Sequence, residues 1–230
     1  MALIYNGEDL LEQPAIAHAL DGVCVRDWHE HGMQFTNAEG GIRKLRRKPS
    51  IFTLHWTGGT GGAQRVFHTL KNRKTHDGKG LSVQLFADAE GTVWQYADLN
   101  LRARHASATN AFGPGLEVQG RGIDRTAEAK ASTDENIHGR KIPVLPFTEP
   151  QYRAIVGLSV ALMTAFELPL QCPGMPDGSG PYSGLMPRAA IHSFRGVLGH
   201  FHVSRHKLDP GLDVFRRLVR DGGFVYAPQR

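Results

Sequence analysis

Three histidines, a lysine and an aspartate crowd the run Gly199-His200-Phe201-His202-Val203-Ser204-Arg205-His206-Lys207-Leu208-Asp209-Pro210-Gly211. Imidazole and carboxylate are donors that hold a divalent cation such as zinc, and catalytic sites of that kind use three protein ligands and keep a fourth position for water. His200 closes the apolar run Val197-Leu198 and is expected at a strand end. Asp209, just before Pro210, is expected to be a helix N-cap with the proline at the first helical position. A strand end and a helix start joined by a short loop can offer an imidazole and a carboxylate to one ion. Each part also has an ordinary explanation, because Asp before Pro-Gly is a common cap and a strand histidine is more often packed than metallated. Metal chemistry therefore needs a third ligand and a reactive group from elsewhere in the chain.

The elements upstream supply candidates for both. Ile51-Phe52-Thr53-Leu54-His55-Trp56-Thr57 is a β-rich apolar run that enters Gly58-Gly59-Thr60-Gly61-Gly62, with His55 near its end. The glycine loop lacks the GxxxxGK[ST] pattern, so it is not a phosphate cradle. Val66, Phe67 and Leu70 fall at helical spacing and predict a short amphipathic helix over 63–74. The runs 81–86 and 92–96 form a hairpin with its turn near Glu90-Gly91. Gly115-Leu116-Glu117-Val118-Gln119-Gly120 is a further strand in which Glu117 lies between apolar residues, a costly place for a carboxylate unless something positive faces it. Thr148 and Gln151 form a capping box for a helix reaching about Glu167, with Tyr152, Ile155, Val156, Leu162, Met163 and Phe166 along one side. A last helix starts near Pro210 and turns Leu212, Phe215, Leu218 and Val219 inward. Strands mixed with helices in this way predict an α/β fold, a central mixed sheet flanked by helices on both faces. Strand ends would then carry His55 and His200 towards Asp209, completing a three-ligand set with one position open.

Other histidines compete for these roles. Asp27-Trp28-His29-Glu30-His31 has alternate spacing that places His29 and His31 on one face of a surface strand, and an exposed edge accounts for them. His202, at an even offset from His200, would share its side as a spare ligand. His105, within 102–107, is either packed or close enough to contact substrate or orient a ligand. Trp56, beside His55, is a second candidate for substrate contact.

Composition narrows the class. The chain has 230 residues, 40% hydrophobic and 21% charged, ordinary values for a globular protein, and no stretch approaches the length of a membrane span. Its start, Met1 to Asp9, has no basic n-region, so no secretory signal is expected and synthesis is expected to leave the chain in the cytoplasm. Lys and Arg total 27 against 22 Asp and Glu, a formal charge of +5, with a pI of about 9.4. That balance favours anionic partners: nucleic acid, anionic lipid or a carboxylate-rich wall polymer. Arg43-Lys44-Leu45-Arg46-Arg47-Lys48 is the one dense basic run, and without interleaved aromatics it gives no support for nucleic acid. Cys24 and Cys172 are far apart and outside any CxxC, so no disulfide framework or cysteine zinc knuckle is indicated. The basic run and Pro49 divide an N-terminal extension of unassigned role, 1–48, from the domain 49–230.

In this order the motifs resemble the zinc-dependent N-acetylmuramoyl-L-alanine amidases of the amidase and peptidoglycan-recognition-protein superfamily. The matching pieces are Leu54-His55-Trp56-Thr57, the hairpin from Leu81-Ser82 to Glu90-Gly91, Arg104-His105-Ala106, Pro114 through Gly120, and His200 through Lys207-Leu208-Asp209-Pro210-Gly211. They cover about residues 50–222. The resemblance implies that His55, His200 and Asp209 ligate Zn2+ and that Glu117 and Lys207 flank the reacting amide. Asp209 stands where other branches have cysteine, as in the bacterial cytosolic muropeptide amidases. Val83 stands where the phage-lysozyme branch has a hairpin tyrosine, which leaves Glu117 as general base. It implies hydrolysis of the amide between the lactyl group of N-acetylmuramic acid and the L-alanine of the stem peptide, or, as the alternative, a non-catalytic peptidoglycan-binding module. An enzyme of this kind would act on the cell wall after release or delivery, or on cytosolic wall fragments.

Overall fold

Short β-rich runs separated by turn residues pair into one six-stranded sheet, seen in a computed structural model that describes residues 1–120 and 132–229. Its strands are β1 (Val25–Arg26), β2 (Ile51–Trp56), β3 (Leu85–Ala87), β4 (Val93–Gln95), β5 (Gly115–Val118) and β6 (Gly196–Gly199). Their spatial order is β6-β2-β5-β3-β4-β1. β6, β2, β5 and β3 run parallel to one another, β4 returns antiparallel to β3, and β1 lies parallel to β4 at the edge. The hairpin turns where expected, with Gly91 at φ +79° and the Asp88 carboxylate accepting from the N–H groups of Glu90 and Thr92.

Period-two alternation sorts the strand residues onto two faces. Phe52, Leu54, Leu85, Ala87, Val93, Leu116 and Val118 share the main core with helix α2 (Glu149–Phe166) and helix α4 (Asp213–Gly222). The capping box of α2 is present: the Thr148 hydroxyl accepts from the Gln151 N–H, and the Gln151 side chain accepts from the Thr148 N–H. Residues of α2 are buried nearly all round rather than along one stripe, because the helix Pro14–Ala19 and α4 pack against its flanks while the sheet covers its front. On the opposite face, α1 (Ala63–Asn72) covers Phe86 and Tyr96 with Val66 and Phe67. The short helix Arg188–Ser193 covers Ile51 and Leu198 with Ile191.

Residues 1–48 contribute Leu3, Leu10, Ile16, Leu20, Val23 and Val25 to the same main core, and β1 to the sheet. The expected strand at His29 and His31 is instead a helical turn, Trp28–His31. The reason is local: the Asp27 carboxylate accepts from the His29 N–H and caps the turn, after which His31 accepts from the Met33 N–H and contacts the Gln95 carbonyl. In the basic run, Arg43–Lys44 pairs antiparallel with Leu101–Arg102 and is exposed. Both cysteines are free. Among the described residues no helix is long and apolar enough to cross a membrane.

Candidate active site

Strand register lines up the reactive side chains. Gly199 of β6 pairs with Leu54, so His200 stands beside His55; His55 pairs with Glu117, Glu117 with Phe86, and Phe86 with Trp94. One row crossing the sheet therefore carries His200, His55 and Glu117 on the face that α1 only partly covers.

Three expectations in the run 199–211 are corrected. His200 does not end a strand: β6 stops at Gly199, and His200 opens the single turn α3 (His200–Val203). That turn forms because the Gly199 N–H donates to His202 Nδ1 at 2.9 Å, with no need of a longer helix. His202 is consequently no spare ligand; its Nε2 donates to the Tyr182 carbonyl at 2.9 Å, and burial pushes its pKa down to about 3, so it is a neutral packing group. Asp209 is not an N-cap, and Pro210 does not begin a helix, since α4 starts at Asp213. The N–H groups of Leu212 and Asp213 are instead satisfied by the buried Glu135 carboxylate at 2.6 and 2.8 Å. Glu135 comes from the hairpin strand Thr133–Ile137, so the cap is supplied across the fold and the Asp209 carboxylate is released to turn inward.

The three candidate ligands meet. His55 Nδ1 lies 2.9 Å from His200 Nδ1 and 3.1 Å from Asp209 Oδ2, and His200 Nδ1 lies 3.0 Å from the same oxygen. Ligand atoms around a tetrahedral zinc ion are about 3.3 Å apart, given bonds of about 2.0 to 2.1 Å. Proton bookkeeping along the neighbouring chain agrees with a cation at the centre of this triangle. The Gly113 carbonyl can only accept, so His105 Nε2, 3.4 Å away, carries the proton. Neutral His105 then accepts at Nδ1 from His55 Nε2–H, 3.0 Å away. Burial, and next the neighbouring His200, push His55 down to about 4, and burial holds His105 well below its usual range, so both rings are neutral near pH 7. His55 Nδ1 is thereby left with a lone pair aimed at a carboxylate oxygen, an arrangement that a cation between them relieves. Gly115 provides the room for this relay, since a Cβ there would lie 2.7 Å from His105 Nδ1. Asn110 fixes the His105 loop by accepting from the N–H groups of His105 and Ala106.

A groove of about 400 Å³ opens over the triangle, lined by Trp56, Arg65, Thr69, Arg73, His105, Glu117, His200, Lys207 and Asp209 among others. Residues 45–212 match the family model described as N-acetylmuramoyl-L-alanine amidase. The chain belongs to that family. Among curated proteins none matches it. Drosophila peptidoglycan recognition protein PGRP-LB shares 10% identity over 90% of this chain and 99% of its own, with a TM-score of 0.54. Drosophila PGRP-SD shares 13% over 90% and 98%, also at 0.54. The N-acetylmuramoyl-L-alanine amidase LysC from Clostridium intestinale shares 14% over 82% and 88%, at 0.48. At these identities the two recognition proteins show the fold alone, and it is the mixed sheet with helices on both faces described above.

Within this amidase-family groove, Glu117 is the strained group. Its Oε2 is inaccessible and has no hydrogen-bond partner, and burial, followed by the charge of Asp209, pushes its pKa up to about 8, against the opposing pull of Lys207 and Arg73. Lys207 is exposed, lines the same groove, and makes no ion pair among the described residues. Val83 is fully buried against Phe67 and Phe86, so the hairpin offers no hydroxyl at that position. Trp56 is half-buried, one side against the core and the other on the groove. Sequence reasoning passed over Arg65, Thr69 and Arg73. Their spacing of four was the available signal: it marks one stripe along α1 and its C-cap, beside Val66 and Leu70, and that stripe lines the groove.

Proposed function

We propose that the chain is a zinc-dependent amidase that hydrolyses the bond between the lactyl group of N-acetylmuramic acid and the L-alanine of the stem peptide. The observation that carries this reading is the triangle of His55, His200 and Asp209 facing an unpartnered carboxylate, Glu117, inside one groove. Two neutral imidazoles and one carboxylate leave a divalent cation with net positive charge, and zinc held there would supply Lewis acidity to the carbonyl and to the attacking water.

The remaining work falls to the chain's own residues. Glu117 takes the proton of the attacking water and returns it to the leaving amine, for which a pKa well above the ordinary carboxylate value suits it. The Lys207 ammonium donates to the oxygen on which charge develops. His105 fixes the ring and tautomer of His55 through the relay ending at Gly113. Trp56 and His105 border the substrate from the strand side, and Arg65 and Arg73 offer positive charge to the carboxylates of a stem peptide. The substrate is polymeric wall reached after release or delivery, or free wall fragments.

Digestion of purified peptidoglycan with and without a chelator, read by mass spectrometry, tests the proposal. Free stem peptides should form only without chelator. Unchanged muropeptides in both arms would support a non-catalytic binding module of the same fold, and new reducing sugar ends would indicate a glycosidase.

A further inference from the structure

The basic run singled out in the sequence has no part in the groove over His55. Its downstream half borders a second concavity of about 540 Å³, lined by Arg46, Arg47, Lys48, Phe112, His192 and Arg195 among others. Three chain segments meet there, and each leads into one of the parallel strands: 46–50 into β2, 111–112 into the loop before β5, and 192–195 into β6. Backbone hydrogen bonds tie them together, Ser50 and Ile51 N–H to the Phe112 carbonyl and Gly196 N–H to the Ser50 carbonyl. The concavity thus sits at the beginning of the strands whose far ends carry the candidate ligand triangle, about 17 Å from Ser50 to His55 at roughly 3.3 Å per residue along β2.

Most of its charge is uncompensated. Arg46, Arg47 and Arg195 are exposed and make no ion pair among the described residues, while Lys48 has a solvent-exposed contact with Glu167 at 3.2 Å. Guanidinium forks match phosphate oxygens in pairs, and cations spread along a groove favour a polymer over a single ion. The shape argues against two other polyanions. A membrane surface would be met by exposed apolar side chains, but the exposed large hydrophobics, Met1, Leu185 and Val225, do not line this concavity. Single-stranded nucleic acid needs free aromatic faces for successive bases; here the Phe112 ring is half-buried and packs, tilted by 38°, against His192 at 5.0 Å, and Phe194 is buried. We infer that this concavity is a second binding site, for a phosphodiester-linked polyol chain of the kind attached to or interleaved with a cell wall, and that it holds the protein on the wall while the other end of the sheet works.

Fluorescence anisotropy of the full chain with labelled poly(glycerol phosphate) tests this. With three guanidinium groups each neutralising a phosphate, affinity should fall roughly 15- to 20-fold between 50 and 200 mM salt, as it does for flexible single-stranded polyanions. The double variant Arg46→Glu, Arg47→Glu and, separately, Arg195→Gln should each weaken binding, the double variant at least about tenfold, with unchanged thermal midpoints. Glu117→Gln should bind the polymer like the parent chain, so that failure of the amidase proposal and failure of this one remain distinguishable. Equal affinity in the parent and all arginine variants overturns the inference. So does tighter binding of single-stranded DNA with the same number of phosphates, which would assign the groove to nucleic acid, or tighter binding of phosphatidylglycerol vesicles, which would assign it to a membrane.

Discussion

Replacing Glu117 by glutamine should stabilise the metal-free protein at alkaline pH while abolishing hydrolysis. The carboxyl is raised from an ordinary 4.5 to about 8. At 1.36 kcal/mol per unit this difference amounts to roughly 3 to 5 kcal/mol, a large share of the 5 to 15 kcal/mol that holds a domain together. A carboxyl with a raised folded value holds its proton more tightly in the native than in the unfolded state. Its contribution to stability is therefore greatest below pH 4.5, falls as pH rises through the interval up to about 8, and is constant above it. Glutamine does not titrate, so the stability difference between variant and parent should grow by roughly 3 to 5 kcal/mol from pH 5 to pH 9, while the shifts of His55 and His105 largely cancel in the subtraction. Urea unfolding followed by tryptophan fluorescence in chelator, repeated across that range, measures it. A difference that stays level with pH would refute the assignment of Glu117 as a half-buried acid whose inner oxygen has no partner. Adding Zn2+ should shrink the gap, because a cation beside the carboxylate favours its ionised form.

Three further outcomes follow from the same geometry. His105→Ala should weaken metal binding about 10- to 100-fold, measured by competition with a chromophoric chelator, because His55 loses the acceptor that fixes its tautomer; unchanged affinity would remove His105 from the relay. Lys207→Ala should lower kcat on the order of 10² to 10³ with an unchanged thermal midpoint, and a loss confined to KM would reassign the lysine to substrate binding. Glu135→Ala leaves the Leu212 and Asp213 N–H groups and Arg216 without their acceptor, and should cost about 2 to 4 kcal/mol in urea unfolding while weakening metal binding through the loop that carries Asp209. A surface-like loss below about 0.5 kcal/mol would show that the cap is dispensable.

Much of the candidate site was legible because its signals are local. A β-rich run entering a glycine loop placed His55, apolar neighbours on both sides of Glu117 marked a carboxylate held at a cost, and the Thr148–Gln151 capping box set the start of the long buried helix. The segment after Gly199 misled for the complementary reason. Asp209-Pro210-Gly211 has the composition of a helix start, but the helix begins at Asp213 and takes its cap from Glu135 on a distant hairpin, a partner that no window around Asp209 contains. His202 shared the spacing of a strand ligand until the Gly199 N–H drew it into a one-turn helix and away from the candidate ion site. Arg65, Thr69 and Arg73 had a readable spacing, but a polar helix face is ordinarily only the solvent side.

Taken alone, the order of residues determined which elements form, which side chains carry donor chemistry, and the family to which that order belongs. It could not decide which strands become neighbours. Parallel pairing of β6 with β2 and of β2 with β5 brings His200, His55 and Glu117 into one row from widely separated parts of the chain, and the same pairing gathers the basic residues at the opposite end of the sheet. Hydrogen bonds between distant strands set that register, so the distances among the candidate ligands exist only once the sheet has closed.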